Sequence, residues 1–87
     1  MLYTLVSIYD EAAVLWTTPQ CFISEAEALR EWQHRLQNDK SVFTSHPQDF
    51  SLWSIGLFNP VEGTVSVISN LSRKKIADFT SLISVEV

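Results

Sequence analysis

Apolar and polar residues along this chain repeat with two periods, close to two in some stretches and close to 3.6 in another. Residues 2 to 9, LYTLVSIY, are rich in β-branched and aromatic types and predict a strand. DEAA follows as a short polar turn, without the glycine that a tight primed hairpin prefers. VLWTT then predicts a returning strand, stopped by Pro19, which has no N–H to donate to a ladder. Residues 2–9 and 13–18 thus read as a first hairpin.

The period changes after Ser24. Ser24 is followed three residues later by Glu27, the capping-box spacing, and Glu25 and Glu27 place negative charge at the positive end of a helix dipole. Leu29, Trp32 and Leu36 recur at i, i+3 and i+7 and form one apolar stripe, while Arg30, Gln33, His34 and Gln37 fall mainly elsewhere. This predicts a helix from about Glu25 to Asn38, ended by NDKS.

In HPQDFSLWSIGLFNP, residues 46–60, Pro47 fixes φ and Asp49 can bond the backbone two residues on, which predicts a turn. From Phe50 to Phe58 the run is apolar on both parities, with Trp53, Ile55 and Leu57 on one side, as expected of a strand that is central or covered on both faces. Gly56 inside it points to a bulge or to the close approach of another chain. NPVEG supplies a hairpin loop with Gly63 available for positive φ, and TVSVIS alternates as the partner strand over 64–69. The end of the chain carries two signals. Ile76, Phe79 and Ile83 have helical spacing behind Ser72 as a cap, whereas LISVEV alternates like a strand, and Arg73 to Lys75 would oppose the dipole of a helix starting there. A short helix over about 72–82 with a frayed or strand-like end is the expectation.

The predicted architecture is α+β. A mainly antiparallel four-stranded sheet, β-β-α-β-β, carries one amphipathic helix and a helical or extended C-terminal tail. Its 87 residues form a single domain, with a core over 1–69 and a tail over 70–87. A chain of this length buries about 64% of its extended surface, enough for one modest core. An apolar fraction of 46%, with three Trp, five Phe and two Tyr, excludes a disordered chain.

Charge narrows the choice of partners. Six basic against ten acidic residues give a net charge of −4, so any contact with nucleic acid must use a local patch. Three of the six basic side chains stand together as Arg73, Lys74 and Lys75. Stacking on aromatics tolerates any base, and Phe50, Trp53 or Phe58, joined by Trp16, could supply a platform. The candidate nucleic-acid residues are therefore Arg73, Lys74, Lys75, Trp16 and Trp53. Strand 1 carries no Lys, Pro or charge between Leu2 and Tyr9 and so reads as an unprotected sheet edge. That predicts a homo-oligomer, with Gly56, Phe79, Leu82 and Ile83 as interface candidates.

Other chemistry finds little support. Cys21, His34 and His46 are ligand types, but spacings of 13 and 12 residues match no zinc pattern. Nothing supplies an oxyanion hole or an orienting group for a Cys21–His46 dyad. No metal, cofactor, small-molecule substrate or enzyme activity is expected. A lone cysteine fits a reducing compartment, and the N-terminal apolar run, broken by Asp10 and Glu11, is short of the ~20 residues of a spanning helix. The expectation is a soluble protein of the cytoplasm, without membrane contact.

One segment carries a family likeness. HPQDFSLWSIGLFNPVEGTV resembles the H-P-x-D-[FY]-x-L-[FWY]-x-I-G-x-[FY]-[DN]-x-x-x-G stretch of the small nonstructural proteins of gokushovirus-type microviruses, which are single-stranded DNA phages. The matching residues are His46, Pro47, Asp49, Phe50, Leu52, Trp53, Ile55, Gly56, Phe58, Asn59 and Gly63, with Asn59 in place of the commoner Asp. YTLVSIYD and EAEALREWQHRL fit the family's first strand and helix loosely. The likeness spans about residues 1–68 and does not reach the tail. It implies a non-enzymatic accessory of single-stranded DNA synthesis or genome packaging, working in the bacterial host cytoplasm with DNA or with phage replication and packaging proteins. It brings no catalytic residues. The alternative is a protein-interaction module that self-associates and binds a host or capsid protein without touching nucleic acid.

Overall fold

The computed structural model describes residues 2–38, 40–67 and 73–83. In order along the chain it holds β1 (Tyr3–Asp10), β2 (Leu15–Trp16), β3 (Gln20–Phe22), α1 (Glu25–Asn38), α2 (Val42–Ser45), a 3-10 turn (Pro47–Asp49), β4 (Phe50–Asn59), β5 (Thr64–Ser66), β6 (Lys74–Asp78) and α3 (Phe79–Ile83). The fold is α+β, as the hydrophobic pattern predicts, but the antiparallel sheet has six strands among the described residues. The expected helix cap at Ser72, positions 68 and 69 of the last expected strand and the strand-like end 84–87 lie outside the described residues.

Two long strands make the middle of the sheet. β1 pairs with β4, and each carries two short strands on its outer side: β2 and β3 on β1, β5 and β6 on β4. β1 is therefore flanked on both sides. The reading of strand 1 as an open edge is corrected: its uncharged run Leu2–Tyr9 marks an interior strand. The outer strands are two to five residues long, and β6 carries Lys74 and Lys75, both devices that discourage edge pairing.

Two bulges set which side chains face the helices. Between β1 and β4 the register passes from Leu5↔Gly56 to Val6↔Ser54, leaving Ile55 unpaired. The extra residue reverses the alternation, so Trp53 and Leu57 fall on opposite faces and Ile55 stays half-buried outside the core. The expectation that Trp53, Ile55 and Leu57 share a side is thereby corrected. Between β4 and β6 the pairing passes from Leu52↔Ala77 to Trp53↔Lys75, which sets Ile76 as the extra residue.

One face of the sheet meets the helices through Val6, Ile8, Phe50 and Leu52, packed with Ala28, Trp32 and Leu36 of α1 and Phe79 and Leu82 of α3. α1 has the predicted bounds. Ser24 Oγ accepts the Glu27 N–H at 3.1 Å, while the Glu27 carboxylate reaches one residue further back than a simple capping box and accepts from Ile23 N–H at 2.7 Å. Its buried stripe is Ala28, Trp32 and Leu36, with Leu29 packed at the margin.

The C-terminal segment differs most from expectation. Residues 74–78 form a strand instead of the first half of a helix, because Ile76 and Ala77 reach the core while the backbone pairs with β4. The helix is confined to Phe79–Ile83, so Arg73 to Lys75 are removed from its positive end. Phe79 is completely buried, with ring centroids 5.8 Å from Trp32, 5.6 Å from Phe43 and 5.9 Å from Phe50. Phe79 and Leu82 thus build the chain's own core, which corrects their assignment as contacts between protomers, while Ile83 packs beside it half-buried. Gly56 is also used within the chain: a Cβ there would stand 2.9 Å from the Ser66 carbonyl oxygen across the β4–β5 pair. The HPQD turn is seated by a backbone bond from Glu11 N–H to the Asp49 carbonyl at 2.8 Å, which ties the first hairpin to the start of β4. No helix among the described residues is long and apolar enough to cross a membrane.

Candidate nucleic-acid interface

The face of the sheet turned away from the helices holds a cluster of aromatic and basic side chains. Strand alternation builds it. In β1, Ser7 and Tyr9 take the parity opposite to the core residues Val6 and Ile8; in β4, Ser51 and Trp53 do the same opposite Phe50 and Leu52. Cross-strand pairing then aligns Tyr9 with Trp16 of β2, Ser7 with Trp53, and Trp53 with Lys75 of β6. The rings form a ladder: Tyr9 to Trp16 at 4.8 Å between centroids and tilted by 46°, Trp16 to Trp53 at 5.6 Å and nearly perpendicular at 78°.

Cations lie over both indoles. The Arg73 guanidinium carbon is 5.4 Å from the Trp16 ring centroid and the Lys75 ammonium 5.9 Å from that of Trp53. The same alternation sends Lys74 the other way, where its ammonium pairs with Glu25 of α1 at 3.2 Å. Of the five residues expected at a nucleic-acid contact, Trp16, Trp53, Arg73 and Lys75 come together and Lys74 does not.

Hydrogen bonds fix the ladder from below. Trp53 Nε1 donates to Ser51 Oγ at 2.8 Å, which locks the indole over β4. Ser7, almost fully buried, donates its hydroxyl to the Thr17 carbonyl at 2.7 Å, and Thr17 Oγ1 accepts from Ile8 N–H at 3.0 Å. These two bonds hold the strand that carries Trp16 against β1 although β2 itself is only two residues long. The turn before it is closed by Asp10 Oδ1, which accepts from Ala12 and Ala13 N–H, and Val14 completes it at φ 57°, a left-handed conformation unusual for a β-branched residue.

The charge pattern is asymmetric. A cleft of about 160 Å³ beside the ladder is lined by Tyr9, Trp53 and Lys75 together with Glu11, Asp49 and Asp78. Lys75 is held by Asp78 at 3.1 Å, so part of its charge is already neutralised. Arg73 lies outside this acidic cleft.

The remaining candidates are dispersed. Phe50 is buried in the core and offers no platform; Phe58 is half-buried and pairs with Tyr3 and Val65 at the other end of β4. Cys21 is exposed on β3, His34 is on α1 near Asn38, and His46 precedes the 3-10 turn. Among the described residues no group of three His, Cys, Asp or Glu could hold a metal ion. Tyr9 and Ser51 are the members of the site that sequence reasoning missed. Tyr9 could have been found from its parity with Ser7 in an alternating strand, whereas the Ser51–Trp53 bond has no signature beyond the i, i+2 spacing.

A family model described as Phage ORF5 protein matches residues 3–82. No curated protein and no solved structure matches the chain.

Proposed function

The chain belongs to the Phage ORF5 protein family, and on that premise we propose that it binds single-stranded nucleic acid on the open face of its sheet, as an accessory of phage DNA synthesis or packaging. It is a binding module and not an enzyme. The observation that carries this reading is the pair of indoles, Trp16 and Trp53, each with a cation over its face. Aromatic faces stack on any base at roughly 1–3 kcal/mol each, and a neighbouring cation neutralises the phosphate that comes with it. Unpaired bases offer such faces and a duplex does not. With a net charge of −4 the protein gains nothing from long-range attraction, so binding must come from these local contacts.

The magnitude follows from the cations available. Releasing about 0.7 counterion per phosphate contact on a single strand, Arg73 and Lys75 together give a salt slope of about −1.4, and Arg73 alone about −0.7. Fluorescence anisotropy of a labelled single strand across a salt series measures this slope. Binding with a slope in that range, lost in Arg73→Ala and unchanged in Lys74→Ala, supports the reading. No binding at low salt, or equal loss in both variants, contradicts it.

A second observation favours self-association. Leu2, Ile23, Val61, Val65 and Val67 are exposed, and the strand pairings bring them to the end of the sheet that holds the β4–β5 hairpin. Association here uses these apolar side chains and not backbone pairing, since Thr64–Ser66 at the edge is only three residues long. A homo-oligomer formed at this end leaves the aromatic ladder open. Light scattering on the protein and on Val65→Lys tests it: a concentration-dependent mass that the substitution returns to that of one chain is the expected result.

A further inference from the structure

We infer that the aromatic ladder takes one base per protomer, on Trp16 beneath Arg73, and is not a groove that tracks a strand. This rests on the reading of the open face as a nucleic-acid site and specifies its ligand: a single unstacked nucleotide, such as a strand end, a gap or a loop base.

The spacing of the rings decides it. Carbon atoms in contact lie about 3.5–4.0 Å apart, so a base inserted between two rings needs them parallel and roughly 7 Å apart. Tyr9 and Trp16 are 4.8 Å apart and tilted by 46°, and Trp16 and Trp53 are 5.6 Å apart and nearly perpendicular. Neither gap admits a base, so the three rings are in contact with one another and act as one support. Within that support the indole of Trp53 is pinned by its bond to Ser51 and covered by Lys75, itself paired with Asp78. Tyr9 is half-buried against Trp16. Trp16 is different: its side of the sheet is the edge, it is 38% exposed, and the group over it is the exposed side chain of Arg73.

A base entering here parts the guanidinium from the indole and is held between the two, in a stack of indole, base and guanidinium. Arg73 can keep its planar contact with the base while its N–H groups reach the attached phosphate. The acidic cleft formed by Glu11, Asp49 and Asp78 repels the next phosphate along one direction, which works against a continuous track. Longer strands therefore add positions to choose from and no new contacts.

The test is a titration of thymidine 5′-monophosphate and of oligothymidylates of increasing length, followed by intrinsic tryptophan fluorescence for the parent chain and by titration calorimetry for the parent and for variants that lack the Trp16 fluorophore. Expected is saturable quenching by the monophosphate. Its affinity should lie within about threefold of the longest strand per available position, and be lost at least about tenfold in Trp16→Ala. Trp16→Phe, which keeps a stacking face, should recover most of it, so a folding defect is not mistaken for a lost contact. Affinity per position that climbs steeply with strand length overturns the single-base inference while leaving the proposed function standing. Failure of every length to bind overturns both.

Discussion

Phe79→Ala is the sharpest test of the way the C-terminal segment closes the core. Phe79 is completely buried and its ring touches those of Trp32, Phe43 and Phe50. Truncating a buried phenylalanine costs about 3–5 kcal/mol, and each lost aromatic pair adds about 0.5–1.5 kcal/mol beyond the area buried, which places this site at the upper end, near 4–5 kcal/mol. A domain of this length has a total stability of roughly 4–13 kcal/mol at about 0.05–0.15 kcal/mol per residue. The substitution should thus remove a third or more of it. With a urea m-value of about 1–2 kcal/mol/M, the midpoint falls by at least ~2 M or the protein is unfolded from the outset. Urea denaturation followed by circular dichroism measures this, with Thr80→Ala as the control: Thr80 is the exposed neighbour in α3, and its change should stay within about 0.5 kcal/mol. A Phe79→Ala loss below about 1 kcal/mol would mean that β6 and α3 are not docked as described, since a fully buried ring cannot be removed that cheaply.

Three further outcomes follow from single contacts. Leu52→Ala should cost about 2–5 kcal/mol and Ile55→Ala clearly less, because the bulge leaves Ile55 half-buried; denaturation midpoints falling equally would contradict the register. Gly56→Ala should destabilise by roughly 1–3 kcal/mol, since its Cβ would press on the Ser66 carbonyl, a backbone atom that cannot swing aside; an unchanged melting temperature would show that β5 is not held there. Thr17→Val removes the acceptor of the Ile8 N–H and should cost about 1–3 kcal/mol, with hydrogen exchange at that amide rising at least tenfold.

Much of this fold was legible from period and capping. α1 announces itself through Ser24, Glu27 and the spacing of Trp32 and Leu36, because the cap and the stripe are local features. The interior position of β4 was equally readable from its apolar run on both parities. LYTLVSIY of β1 has the same character and the same cause, so strand 1 lies inside the sheet although its lack of charge reads as an open edge. Gly56 marked the first bulge, which falls at its neighbour Ile55, whereas no residue type marks the second, at Ile76. The end of the chain was misread at its first half. Two lysines before Ile76 satisfy a helical spacing as well as a strand edge, and only the pairing partner, Leu52 to Ser54, decides between them. The candidate site was half legible. Trp16, Trp53, Arg73 and Lys75 could be named from composition, but the separation of Lys74 from its neighbours depends on β6 being a strand, and the support from Tyr9 and Ser51 depends on register.

The central claim is that the open face, through Trp16 and Trp53, is where nucleic acid binds, and the indole N–H resonances of the three tryptophans report on it directly. In a titration of the ¹⁵N-labelled protein with a short oligothymidylate, the Trp16 signal should shift most and that of Trp53 less, its N–H being held by Ser51, while Trp32, on the buried face of α1, should stay in place. Movement of Trp32 alone, or no movement of Trp16 at saturating oligonucleotide, would contradict the account.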